Sequence, residues 1–323
     1  MADNLMASLI NELDQYIRER YILRIAEMAP EYPVYTNLVP WDTDGAGMFL
    51  PLIRKSQGRQ ADPMEIKDES DSISYQKIKG GRTRDLQNPI MYATGLSFSL
   101  NALKMGLTRL SSTKRIPELF ADAVRLTREY YNVRLLNEAE STSAPAEMIG
   151  YDAKPLISAT HALQGSADAV SNYYSTISGV TYTALNAMLD MCAEITDEEG
   201  NPYPMYRIDK LYIPPQEELN AYETLKSLGR PDVLGNAQNV LNSRAHFGLT
   251  PDGVKTLYYM TNDRWFAVDS AHNEVERYEL MDTGVEGPFV DEVKTKDVSW
   301  NQLIWIHRSI WDWRGILMAK RSS

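Results

Sequence analysis

The sequence predicts an α+β chain in which helices pack on mixed sheets, and three observations predict it. Residues 113–140 carry apolar side chains every three or four positions, the period of one helix face. Residues 206–213 and 298–306 place Ile208, Leu211 and Ile213, and Val298, Trp300, Ile304 and Ile306, as strands that turn an apolar side inward. Between these stretches, helical and strand-like segments alternate, as in a small mixed sheet with helices on its faces.

Composition bounds the chain. At 323 residues it is long enough to bury roughly 75% of its extended surface. Hydrophobic residues make up 43% and charged residues 24%, which suits a folded domain and excludes a disordered one. Cys192 is the single cysteine, so an intrachain disulfide framework and a CxxC zinc knuckle are excluded. Its helical spacing with Leu185, Met188, Leu189 and Ile195 predicts a buried structural thiol and a reducing compartment such as a cytoplasm. No basic segment followed by an apolar one opens the chain, and no run of about eighteen apolar residues occurs. Neither a standard export signal nor a membrane span is expected. The net charge of −11 argues against a grip on nucleic acid, which needs clustered cations to release phosphate counterions.

Leu5, Leu9, Leu13, Tyr16, Ile17, Tyr21 and Ile25 predict a first helix that Pro30 ends. Residues 31–47, with Pro33, Pro40, Gly45 and Gly47, read as an extended arm. Its apolar anchors Val34, Tyr35, Leu38 and Trp41 suit either a partner surface or a seat on the chain's own body. Residues 48–53 and 64–66 read as short strand pieces. SISYQKIK then alternates Ile73, Tyr75 and Ile78 with polar residues, and Gly80-Gly81 signals a turn. From Arg54 to Asp85 charged residues of both signs outnumber apolar ones, so this stretch cannot form a core of its own. It is either a solvated insertion or a hairpin lying on something else.

The helix over 113–140 has Thr113 as its candidate cap and Pro117 in its first turn. Leu119, Phe120, Ala123, Val124, Thr127, Tyr130, Tyr131 and Leu135 form its stripe. A helix of about 24 residues spans ~36 Å. In 154–172, Leu156 and Ile157 are a short apolar run. Ser158, Thr160 and His161 then compete for backbone hydrogen bonds, and Gly165, Ser166 and Asp168 open a polar loop. A helix over the Leu185 to Cys192 stripe runs into a turn at DEEGNP, and Pro214-Pro215 start another helix at Gln216. Residues 229–256 are turn-rich. LYYM and RWFAVDS read as two strands around a tight turn and VERYEL as another, and the chain closes by a turn at Asp312–Gly315 into the strand ILMA.

Catalytic motifs are missing. His161, His246, His272 and His307 have no HExxH, no HxH and no local carboxylate spacing, and the chain holds no GxSxG, GxGxxG or GxxxxGK[ST]. The acidic groups Asp197-Glu198-Glu199 and Asp68-Glu69-Asp71 read as solvated faces. No enzyme activity, metal or cofactor is expected.

KPLISATHALQGSADAVSN (154–172), with YRIDKLYIPP and QEELNAYETLKSL after it, resembles the axial-domain entry of tailed-bacteriophage major capsid proteins of the Hong Kong 97 type, Mu-like prophage head subunits in particular. Where those subunits carry a His-Pro loop running into glycines and an Asn, Ala162 stands for the Pro and Asp168 among the glycines. DESDSISYQ resembles text of their extended loop, MYATGLSFSLNAL its returning strand, and the 113–140 helix their spine helix. The resemblance implies an N-terminal arm (1–47), an extended loop (48–95), a peripheral domain with the spine helix (96–145), an axial domain with a central mixed sheet flanked by helices (146–286), and returning peripheral strands (287–323). It also implies that residues 229–256 line the capsomer axis. Ile73, Tyr75, Lys77, Lys79, Arg82 and Arg84 of the loop, and Val34, Tyr35, Leu38 and Trp41 of the arm, would then hold neighbouring copies, with Gly45–Gly47 and Gly80-Gly81 as hinges. Pentamers and hexamers would close an icosahedral virion shell around double-stranded DNA, assembled in a host cytoplasm, with scaffold, portal and decoration proteins as further partners. Lys67, Lys77 and Lys79 lie where some relatives cross-link, but no Asn or Glu aligns with them. The alternatives are an encapsulin-like compartment shell or a cytoplasmic enzyme.

Overall fold

The computed structural model describes residues 2–27, 37–40, 53–57, 80–85, 90–99, 116–143, 145, 148–163, 168–176, 179–203, 206–231, 238–241, 249–280, 285–291 and 297–321. Helix α1 (Ala2–Glu27) opens the chain. Leu13, Ile17 and Tyr21 recur every fourth residue and are buried, while Ile22 and Leu23 are exposed. The side chains of Leu5, Leu9 and Ile25 lie outside the described ones. Helix α2 (Ile116–Asn137) lies beside α1 on a five-stranded sheet, and Phe120, Ala121, Val124 and Tyr131 close a core with Leu13, Ile17, Val298, Trp300, Ile304 and Ile306. The α2 stripe is narrower than its sequence period predicts: Leu119 and Tyr130 are 62% and 53% exposed. Tyr130 stands edge-on to Tyr259, ring centroids 5.9 Å apart. Thr113, the expected cap, lies outside the described residues.

The first sheet is organised by one long strand, β13 (Asp297–Ile310). β4 (Ile90–Ser99) runs antiparallel along one edge of β13 from Asp297 to Ile306. The other edge is shared by β12 (Val285–Asp291) and β11 (Val275–Leu280). β1 (Asn37–Pro40) adds a parallel strand to β11, with Leu38 opposite Arg277. β12 shifts register between Glu286 and Phe289, where Gly287 has φ 130°, a backbone that favours glycine. The Arg18 guanidinium of α1 donates to the carbonyls of Val285 (2.6 Å) and Gly287 at this bulge. Asp14 pairs with Arg18 and accepts from Trp300 Nε1.

The second sheet is also five-stranded, in the order β7 (Tyr173–Thr176), β14 (Ile316–Arg321), β10 (Arg264–Val268), β8 (Lys210–Ile213), β9 (Val254–Thr256). Helices α3 (Tyr182–Ala193) and α4 (Glu218–Lys226) pack on it through Leu185, Met188, Cys192, Ala221 and Leu225. Thr181 caps α3 by accepting from the Ala184 amide. The double proline starts a short 3-10 turn, Pro215–Glu217, that leads into α4.

The segment expected to return to the peripheral domain divides. Residues 297–310 join the first sheet, but Ile316–Arg321 enters the second, between β7 and β10. Ile316, Leu317, Met318 and Ala319 are all buried, as a central strand covered on both faces requires. Gly315 makes the crossing, since a Cβ there would meet His272 O at 2.5 Å and Asn273 N at 2.7 Å. β11, expected in the axial portion, belongs to the first sheet. LYYM is a turn and not a strand: Met260 N donates to Leu257 O and Tyr258 is exposed. The strand of that region is β9, just upstream. Gly80-Gly81, expected as a turn, opens β3 (Gly80–Asp85), where Gly80 pairs with Gln57 of β2 (Ile53–Gln57).

Candidate assembly surface

β2 and β3 form a two-stranded antiparallel ribbon that joins neither five-stranded sheet. Its register sets Arg54 opposite Arg84 and Lys55 opposite Thr83. Of the loop residues singled out in the sequence, Arg82 and Arg84 are placed on β3, while Ile73, Tyr75, Lys77 and Lys79 lie outside the described residues. So do Val34, Tyr35 and Trp41 of the arm, and Gly45–Gly47. Leu38 is placed on β1, its backbone paired within its own chain. In the turn-rich 229–256 stretch, Gly229 bridges Gln238. Asn239, buried, donates to the carbonyls of Thr224 (2.7 Å) and Ser227 (2.9 Å). Beside this tie Leu228 is 85% exposed.

Two buried polar networks at the edge of the second sheet were not legible in the sequence. In the first, His161 Nδ1 lies 2.6 Å from Asp152 Oδ2 and its Nε2 3.1 Å from Asn172 Oδ1, with the ring stacked 4.0 Å above Trp313. His161 therefore does have a carboxylate partner, nine positions away, beyond the reach of any helix or strand period. It sits on β5 (His161–Ala162), which pairs with β6 (Ala169–Val170). In the second network Arg314 donates to Glu198, Asp312, the Tyr151 hydroxyl and Thr196 O. Burial disfavours the Arg314 charge, yet Asp312, Tyr151 and Glu198 together hold its pKa above the ordinary arginine range. Asp197 and Glu198, expected as a solvated face, are buried: Asp197 closes its own turn by accepting from Glu199 N and Asn201 N, and Glu198 meets Arg314. Asp68, Glu69 and Asp71 lie outside the described residues.

His272 also has a local carboxylate, Asp269 three residues earlier, at 2.6 Å, a spacing visible in the sequence but not read there. Its ring stands against Tyr206. Cys192 is buried as expected, and that burial, with Asp269 nearby, pushes its thiol up to about 12. A thiol held protonated is a poor nucleophile. Among the described residues no group of three or more His, Cys, Asp or Glu could hold a metal ion. No described helix is long and apolar enough to cross a membrane.

No protein-family model and no curated protein matches the chain. Solved structures do match it. The capsid of an empty GTA particle shares 11% identity at a TM-score of 0.52, over 92% of this chain and 92% of that one. The capsid of Staphylococcus phage Andhra gives 8% identity and a TM-score of 0.52 over 92% and 88%. A chain of Microbacterium phage Oxtober96 gives 10% and 0.51 over 91% and 93%. At such identities the shared property is the fold: this chain has the α+β fold of tailed-phage capsid proteins of the Hong Kong 97 type.

Proposed function

We propose that this chain is a structural subunit that self-assembles through pentamers and hexamers into an icosahedral tailed-phage head enclosing double-stranded DNA. The observation that carries this reading is the fold likeness to two capsids across 92% of the chain. The β2–β3 ribbon supports it. A two-stranded ribbon is marginally stable by itself in water, and this one pairs with neither sheet. In the assembled wall it rests on a neighbouring copy through Ile73, Tyr75, Lys77, Lys79, Arg82 and Arg84, while Val34, Tyr35, Leu38 and Trp41 of the arm reach another. Obligate interfaces of this kind bury on the order of 2,000–5,000 Å², and many simultaneous contacts make weak ones effectively permanent. The net charge of −11 suits a container wall that holds packed DNA without gripping it. Scaffold, portal and decoration proteins complete the head, and assembly takes place in the host cytoplasm.

Size-exclusion chromatography followed by negative-stain microscopy of the purified chain tests the reading. Megadalton closed particles are expected, and a stable monomer across the micromolar range overturns it. Particles from the natural source hold double-stranded DNA in this reading. A protein cargo in its place would instead assign the shell to an encapsulin-like compartment.

A further inference from the structure

We infer that Tyr130 and Tyr259 form a site of oxidative modification, at which a one-electron oxidant joins the two rings into an intrachain dityrosine bond. Among the described residues three tyrosine pairs bring their rings close: Tyr92 with Tyr131 at 5.6 Å between centroids, Tyr203 with Tyr206 at 5.3 Å, and Tyr130 with Tyr259 at 5.9 Å. Tyr131 and Tyr206 are buried, so each of the first two pairs hides one ring from an oxidant in solution. Tyr130 and Tyr259 are 53% and 41% exposed. Of the three, only their pair combines closeness with access to both rings.

The pair is also held in place. Tyr130 lies on α2 where the helix passes from the first core, at Tyr131, to the second, at Val133. Tyr259 lies in the turn after β9, and its neighbours Leu257 and Met260 belong to the second core. Asn137, the last residue of α2, ties the two elements together: its Nδ2 donates to Tyr259 O at 2.9 Å and its Oδ1 accepts from Thr261 N at 3.0 Å. The backbones are thus fixed beside each other, and the rings stand edge-on at 87°, an attractive arrangement for aromatic pairs. What remains is side-chain rotation, which exposed residues complete within nanoseconds.

The chemistry balances with a peroxide turned over by a haem peroxidase as the oxidant. Each phenol gives up one electron and one proton, and the peroxide is reduced to water. The two phenoxyl radicals join through one new carbon–carbon bond between the ring carbons ortho to oxygen. The hydrogens on those carbons then move to the oxygens, so the product keeps both phenols and has two hydrogens fewer than the parent chain. The bond fastens the passage of α2 between the cores to the turn after β9. Because it joins positions far apart in the chain, it restricts the unfolded state and stabilises the folded one.

Oxidation of the full chain with hydrogen peroxide and a peroxidase, at a dose that couples free tyrosine, tests the site. Dityrosine fluorescence should appear in the band of monomer mass on a denaturing gel, and mass spectrometry should find the peptides of Tyr130 and Tyr259 linked, two hydrogens lighter than their sum. An intramolecular reaction has an effective concentration set by the fold, so diluting the protein about tenfold should leave the linked fraction unchanged. Tyr130→Phe and Tyr259→Phe keep the edge-on rings and remove the phenols at exposed positions. Each should lower the fluorescence of the monomer band by at least about tenfold, whereas Tyr258→Phe, at a neighbouring ring that is 74% exposed, should leave it unchanged. The linked chain should unfold at a higher denaturant midpoint. Oxidised chain without the linked peptide, a linked fraction that falls on dilution, a signal that survives in either of the first two variants, or a linked chain with an unshifted midpoint overturns the inference.

Discussion

Around the second sheet, Leu211, Ile213, Phe266, Val268, Ile316 and Met318 fill the core with hydrocarbon, and charged groups gather at the rim in the His161 and Arg314 networks. The first sheet is built otherwise. β13 buries Gln302, His307 and Arg308, and β11 buries Glu276 and Arg277, with Arg277 and Arg308 opposite one another in register. Arg277 donates to Asn132, and Arg308 lies over the Tyr131 ring, so α2 supplies part of their neutralising environment. At the same time Leu119, Leu126 and Tyr130 of α2, Met91 of β4 and Phe289 of β12 are exposed. The two halves therefore differ in where they bury charge, at the rim of the second sheet and inside the strands of the first, while both expose large apolar residues, Leu219, Leu228 and Tyr258 in the one and those of α2, β4 and β12 in the other.

Deleting residues 56–84 is the largest break of that comparison. It removes most of the ribbon, and no described residue within it belongs to either core, so the chain should stay folded, with thermal unfolding close to native, and form no closed particles by negative-stain microscopy. Normal particles from the deleted chain would mean that the ribbon is not an assembly element.

Arg314→Ala probes the second-sheet half. The Arg314 side chain is 1% exposed and pairs with Glu198 and Asp312, and removing one member of a buried ion cluster costs about 3–5 kcal/mol. Denaturant unfolding of unassembled chain should show that loss. A value below about 1 kcal/mol would place the cluster among solvent-screened pairs. Arg18→Ala acts on the other half with a smaller effect. Two charge-assisted bonds to the β12 bulge disappear, but the side chain is 41% exposed, so about 1–2 kcal/mol is expected. Hydrogen exchange should locate the loss in α1 and β12 and leave the second sheet unchanged.

The comparison also explains what the sequence disclosed. Elements whose period matches their burial were legible: α3 from Leu185, Met188 and Cys192, and β13 from Trp300, Ile304 and Ile306; β8 was legible from Leu211 and Ile213, although Tyr212 between them is buried too. The exit of the last strand into the second sheet was not, because a run such as Ile316–Ala319 says that a strand is central without saying in which sheet. The polar networks were hidden for a related reason. Asp152 finds His161, and Glu198 finds Arg314, through tertiary closure and not through helical or strand spacing. Asp197-Glu198-Glu199 looked like a solvated face because nothing local shows that a guanidinium from 116 residues away lies over it. Arg277 and Arg308 carry no local sign of burial, yet both are fully buried beside Asn132 and Tyr131 of α2.

The smallest expected effect lies at the start of α3. Thr181 has an extended backbone and its hydroxyl accepts from Ala184 N at 3.3 Å, satisfying one of the amides that a helix leaves open in its first turn. Thr181→Ala should cost about 1 kcal/mol, read as a lower denaturant midpoint with an unchanged slope. The neighbouring tie decides how local this loss stays. Val180 N donates to the buried Glu217 carboxylate and Val180 O accepts from Thr224, anchoring the residue before the cap to the 3-10 turn and α4. With that anchor intact the helix start cannot drift, and the loss should be confined to the first turn of α3. A change in slope, or exchange spreading into α4, would show that the cap and the Glu217 anchor act as one unit.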